Sequence, residues 1–261
     1  MPFASVNGVR LHYRIDRATR ADAPWLVLSN SLGADLSMWA PQIGPLTAHF
    51  NLLRYDTRGH GHSDAPAGSY TIDQLTGDVI GLLDHVGIAR SHFCGISMGG
   101  LTGAALAARH ANRIDRVVLS NTSAKIGSPE VWGPRAQKAR AEGMAALAGA
   151  VLPRWFTAAF FEREPRLVDV IRDTFNHIDK DGYAANCDAL NAADLRDEVK
   201  GIGVPTLVVT GTHDMSTPPG QGRALATAIE GAKHVEFDCA HISNIECADS
   251  FNQTLIDFLT A

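Results

Sequence analysis

The run Gly95-Ile96-Ser97-Met98-Gly99 constrains this chain more than any other stretch. It follows the apolar pair Phe93-Cys94 and leads into a pattern with Leu101, Ala105 and Ala108 at helical spacing. A serine with a glycine two positions to either side, between strand and helix, is the signature of a nucleophile elbow. The chain must reverse tightly enough to lift one hydroxyl clear of a sheet. That reversal puts the serine in a strained backbone region and crowds its second neighbours, which therefore carry no side chain. Such a turn predicts serine hydrolase chemistry on a strand–helix frame.

The rest of the sequence supplies that frame. A hairpin is predicted at residues 3–6 and 9–13 around the turn pair Asn7-Gly8. Residues 25–28 are nearly all apolar, as expected of a strand covered on both faces, and 52–56 form another strand candidate. Thr71 precedes a helix whose apolar stripe runs Ile72, Leu75, Val79, Leu82, Leu83 and Val86 and stops at Gly87. Residues 117–119 add a further buried strand. Strands alternating with helices imply an α/β fold with a mostly parallel central sheet and helices on both faces. After Ser123 the character changes. Residues 124–190 are rich in alanine, arginine and glutamate, with helical runs and no convincing strand; one stripe joins Leu167, Val168, Ile171, Phe175 and Ile178. The strand–helix rhythm resumes at 205–211, with a shorter strand at 235–237 and a last helix carrying Phe251, Leu255, Ile256 and Leu259. The expected organisation is a core built from 1–123 and 191–261, with 124–190 as a helical lid.

With 261 residues, 45% hydrophobic and 20% charged, the chain can bury a sizeable core. A net charge of −5 without basic runs argues against nucleic acid or an anionic membrane as partner. No apolar stretch is long enough to span a bilayer, and the first residues lack the basic-then-apolar layout of a secretory signal. A cytoplasmic protein is therefore expected. Cys94, Cys187, Cys239 and Cys247 lack metal-type spacing, and a chain of this length does not depend on disulfides.

An alcohol is a weak nucleophile near neutral pH, so Ser97 needs a base, and the base needs an orienting acid. His241 is the best placed histidine, in the polar loop 238–244 between the last strand and the last helix. Asp214 lies just past the strand at 205–211, which gives the chain order serine, aspartate, histidine. Asp238, on the same loop as His241, is a weaker alternative acid. The position after the earlier strand is Asn121, not an acid, which favours Asp214. His213 is read as structural or pocket-lining, and His60, within Arg58-Gly59-His60-Gly61, as part of a tight loop. The oxyanion formed on attack needs preorganised N–H donors. Met98, at the start of the elbow helix, supplies one. Leu32, within Ser29-Asn30-Ser31-Leu32-Gly33, is assigned the other. This chemistry needs no metal and no cofactor.

The run from Arg54 to Gly61, with Ser63-Asp64, the elbow, Asp214 and His241, resembles the α/β-hydrolase superfamily along the full length. Ser29-Asn30-Ser31-Leu32-Gly33, Ser97-Met98-Gly99-Gly100-Leu101, Asn121-Thr122-Ser123-Ala124-Lys125-Ile126-Gly127, Trp132-Gly133-Pro134-Arg135 and the stretch 182–190 are similar to 3-oxoadipate enol-lactonases of bacterial aromatic catabolism. That resemblance implies the α/β-hydrolase fold and a small-molecule substrate, a five-membered enol-lactone bearing a carboxymethyl group. The free carboxylate of such a substrate wants a cation. Arg135, beside Trp132 on the expected lid, is the candidate anchor, because arginine grips carboxylates bidentately. The same core and triad also serve general carboxylesterases, carbon–carbon bond hydrolases, perhydrolases and ligand-binding receptors on a hydrolase scaffold, which stand as the alternatives.

Overall fold

The computed structural model describes residues 2–20 and 22–261. Asn7 and Gly8 both take positive φ, 46° and 72°, and this turn joins β1 (Phe3–Val6) to β2 (Val9–Asp16) as the expected antiparallel hairpin. Six further strands follow: β3 (Trp25–Ser29), β4 (Asn51–Tyr55), β5 (Ser91–Ile96), β6 (Ile114–Ser120), β7 (Thr206–Gly211) and β8 (Lys233–Phe237). They form one sheet in the order β1-β2-β4-β3-β5-β6-β7-β8. The pairings from β4 to β8 are parallel, and β2 joins β4 antiparallel. Every residue of β4, β5 and β7 is buried. Successive strand residues point to opposite faces, so both faces of the central sheet are covered.

The core helices α1 (Ala40–Thr47), α2 (Ile72–Val86) and α3 (Met98–Arg109) connect the first strands. Helix α2 starts at a capping box, in which the Thr71 hydroxyl accepts the Gln74 N–H and the Gln74 side chain accepts the Thr71 N–H, and it ends where Gly87 turns left-handed at φ 79°. Between β6 and β7 lie only helices: α4 (Pro129–Glu142), α5 (Ala145–Val151), α6 (Ala158–Arg163), α7 (Pro165–His177) and α8 (Lys180–Ala192), with short 3-10 turns. The chain closes with α9 (Pro219–Ala228), α10 (Ser243–Glu246) and α11 (Ala248–Leu259).

The apolar stripe expected on α7 is narrower than its sequence suggests. Val168 and Phe175 are buried, and so is Ile178 just beyond the helix end, but Leu167 stays 38% exposed. Leu167 lies about 100° around the helix from Val168, off the docked face. This helical segment sits hard against the core at one point: a Cβ on Gly59 would lie 2.6 Å from the Gly182 Cα. All four cysteines are free thiols, and among the described residues no helix is long and apolar enough to cross a membrane.

Candidate active site

Ser97 occupies the turn from β5 into α3 with φ 57° and ψ −115°, a conformation that costs energy for any residue with a Cβ. Its neighbours hold it there. The Ser97 N–H donates to the Ser120 carbonyl (2.9 Å), and its own carbonyl accepts the Thr122 hydroxyl (2.8 Å), tying the turn to the end of β6. The flanking glycines are enforced by contact. A Cβ on Gly95 would lie 2.1 Å from the Gly99 oxygen, and one on Gly99 would lie 2.3 Å from the Ser29 oxygen. Both obstacles are backbone and cannot swing aside. Gly95→Ala is therefore expected to cost about 3 kcal/mol or more. Gly149→Ala, which meets nothing within 4 Å, holds or raises stability through helix propensity. Denaturation midpoints of the two variants check the contrast.

Another close approach brings the second and third residues together. A Cβ on Gly211, at the end of β7, would lie 2.2 Å from the Ala240 oxygen, so the loop after β8 folds directly across it. The N–H groups of Thr212 and His213 donate to the carbonyls of Phe237 (2.9 Å) and Cys239 (3.0 Å), zipping the two loops. Asp214 Oδ2 then lies 2.7 Å from His241 Nδ1, with both side chains buried. Oδ1 accepts the N–H groups of Ser216 (2.7 Å) and Thr217 (2.9 Å), while Oδ2 also accepts the Thr217 hydroxyl (2.8 Å) and Asn121 Nδ2 (3.1 Å). Burial alone would raise the Asp214 carboxyl, but the His241 charge, its hydrogen bond and those of Thr217 outweigh it, and the net shift is downward. Whenever His241 is neutral, an ionised Asp214 holds its proton on Nδ1 and leaves Nε2 a lone pair. Asp238, the alternative acid, is almost wholly exposed and pairs with the exposed His213 at 2.8 Å, away from His241.

Ser97 and His241 line one cavity of about 350 Å³, together with Leu32, Trp132 and Arg135. In this conformation no hydrogen bond among the described residues joins the Ser97 hydroxyl to His241; contacts of this kind tighten when substrate is bound. The N–H of Met98 opens α3, where helix geometry provides no intrahelical acceptor. Around Leu32 the other N–H groups are taken: Ser31 by Met38 Sδ (3.5 Å), Gly33 by His60 Nε2 (2.9 Å), Ala34 by the Ser31 carbonyl (3.2 Å). The N–H groups of Leu32 and Met98 have no acceptor among the described residues.

Arg135 is half-buried; its Nε donates to the Tyr183 hydroxyl (2.7 Å), and its guanidinium lies 5.3 Å from the Trp132 ring. The Trp132 Nε1 donates to the Ile126 carbonyl (2.6 Å), which fixes that ring as a platform. Lys138 and Arg154 line the same cavity, and no aspartate or glutamate does. Arg154 bonds the Met215 carbonyl and reaches Ser216 Oγ at 3.4 Å. No motif in the sequence marks Lys138, Arg154, Thr217 or the bond from Asn121 to Asp214. Only Thr217 carried a signal, since an aspartate commonly accepts N–H groups two and three residues on.

The alpha/beta hydrolase fold family matches residues 24–142. A 3-oxoadipate enol-lactonase from Acinetobacter baylyi is 42% identical over 236 residues, covering 90% of this chain and 88% of that protein. A second enol-lactonase of the same organism is 37% identical, covering 91% and 89%. Among solved structures, the enol-lactonase from Burkholderia xenovorans superposes with a TM-score of 0.98 at 67% identity, covering 100% of both chains. The chain thus belongs to the α/β-hydrolase family and is similar to the enol-lactonases within it.

Proposed function

We propose that this protein opens 3-oxoadipate enol-lactone to 3-oxoadipate, with Ser97 as nucleophile, His241 as base and Asp214 as its orienting acid. His241 Nε2 takes the Ser97 proton as the serine oxygen attacks the lactone carbonyl carbon. The N–H groups of Leu32 and Met98 receive the oxyanion of the tetrahedral intermediate. Collapse breaks the ring C–O bond, and the imidazolium returns its proton to the departing enol oxygen. That oxygen stays tethered to the acyl chain, and the enol then shifts to its ketone, which no longer competes to re-close the ring. Water, deprotonated by His241, attacks the acyl-enzyme and frees Ser97. Helices α4 to α8 act as a lid that roofs this chemistry.

One observation carries the substrate choice: the cavity beside Ser97 is lined by Arg135 and Arg154, by Lys138 paired with Glu142 at 2.7 Å, and by no carboxylate, in a chain of net charge −5. A positive pocket in a negative protein focuses anionic ligands. Arg135 is the anchor for the substrate carboxylate, because Tyr183 occupies its Nε and leaves the Nη groups to donate. Arg135→Ala is expected to raise KM for the lactone about 10-fold or more, the scale of a lost charge-assisted hydrogen bond. An uncharged p-nitrophenyl ester should change little, and equal changes for both substrates refute the anchor. Loss of the enol-lactone ultraviolet absorbance on adding purified protein tests the function itself. Rapid turnover of neutral esters with none of the lactone marks a general esterase instead.

A further inference from the structure

The loop that carries Leu32 is braced from another loop by a histidine that the reaction does not use. Gly33, at φ 85°, donates its N–H to Nε2 of His60. His60 is 1% exposed, and its Nδ1 faces the Arg58 carbonyl at 3.4 Å. Asn186 on α8 clamps the same carbonyl, with its Nδ2 2.8 Å from Arg58 O. Arg58 in turn grips Asp78 on α2 through two 2.6 Å bonds, both side chains buried. His60 is thus held from the core and from the helical segment at once. A ring whose Nδ1 proton points at a carbonyl presents Nε2 as an acceptor. Burial keeps it neutral, its pKa pushed down to about 4 against the opposing pull of the Arg58 carbonyl, Asp35 and Asp179.

We propose that His60 is a positioning residue for the oxyanion loop: by accepting the Gly33 N–H it fixes that peptide and leaves the Leu32 N–H as the loop's free donor toward the cavity. The inference rests on the oxyanion role given to Leu32 above. The peptide that His60 holds is Leu32–Gly33; without an acceptor it can rotate through Leu32 ψ and Gly33 φ. The preceding Ser31–Leu32 peptide is hinged to it at the Leu32 Cα, so the direction of the Leu32 N–H relaxes with the loop. The oxyanion exists only along the reaction path, so a misplaced donor lowers kcat and leaves KM in place.

The test compares His60→Leu, His60→Gln and His60→Asn in kcat, in KM, and in affinity for an aryl boronic acid, which mimics the tetrahedral adduct on Ser97. Losing a whole oxyanion donor costs about 10²–10³-fold, so a misoriented one is expected to cost about 10- to 100-fold in kcat for His60→Leu. KM should stay within about twofold, and boronate affinity should fall by a factor similar to kcat. Glutamine carries its amide oxygen near the place of Nε2 and should recover most of the loss, whereas the shorter asparagine should not. If the leucine variant does not fold, the glutamine and asparagine pair carries the comparison. Glutamine no better than asparagine, a loss confined to KM, or unchanged boronate affinity overturns the inference. A folded His60→Leu enzyme with wild-type kcat sinks this inference alone, whereas turnover surviving Ser97→Ala sinks the proposed function beneath it.

Discussion

Ser97→Ala lowers kcat for the enol-lactone by about 10⁴-fold or more and leaves the fold intact. The activity loss follows because no other hydroxyl shares the left-handed turn that exposes this one. Ser31, Ser216 and Ser97 all line the cavity, but only Ser97 sits at the elbow. The fold is spared because the Ser97 side chain makes no hydrogen bond among the described residues; the turn is held by its backbone, through Ser120 and Thr122. Alanine keeps those bonds and the same Cβ, so the melting temperature should match wild type. Single-turnover rates on the purified variant, alongside thermal unfolding, check both halves. A variant that stays folded and keeps its lactonase rate removes the serine mechanism.

Asp214→Asn is expected to cut kcat by about 10³- to 10⁴-fold, with KM little changed. Asparagine fits the space, and its oxygen can still accept the N–H groups of Ser216 and Thr217. Its amide nitrogen then faces His241 Nδ1 where Oδ2 accepted, which favours the tautomer with the proton on Nε2, useless as a base toward Ser97. The same nitrogen also meets Asn121 Nδ2, a donor now facing a donor. Stability should therefore fall as well, by about 1–3 kcal/mol for the unsatisfied buried groups. A double-mutant cycle separates the two effects: removing the Asn121 amide with Asn121→Ala costs less in the Asp214→Asn background than in wild type. Ionisation adds a pH signature. The Asp214 pKa lies lower in the fold than in the unfolded chain, so its contribution to stability is present above about pH 4 and is lost as pH falls through the folded value. The asparagine variant lacks that dependence. A variant with full kcat moves the acid elsewhere.

The hairpin at Asn7-Gly8, the cap at Thr71, the stop at Gly87 and the elbow glycines were all legible in the sequence. Each depends on chemistry within a few residues, such as a positive φ, a side-chain cap or a backbone contact across one turn. Chain order pointed to Asp214 rather than Asp238 as the carboxylate beside His241, because strand ends in a parallel sheet deliver their loops to one edge. The outward turn of Leu167 on α7 was not legible, since the docked face of a helix depends on what it meets. Nor were the brace from His60 to Gly33 or the cations Lys138 and Arg154 on the cavity wall.

Local sequence, then, determined the turns, the helix ends and which serine sits at the elbow, because short-range sterics and hydrogen bonds decide those without reference to the rest of the chain. Tertiary structure alone decided the distances around the serine and the neighbours that no motif names. The sheet places β3 beside β5 and β7 beside β6, which brings Leu32, Asn121, Thr217 and His241 to one end although long stretches of sequence separate them. The helices between β6 and β7 then fold back over that end and carry Arg135 into the cavity. Contacts of that kind arise from which loops a sheet order makes neighbours, a property of the packed whole that no local pattern of residues records.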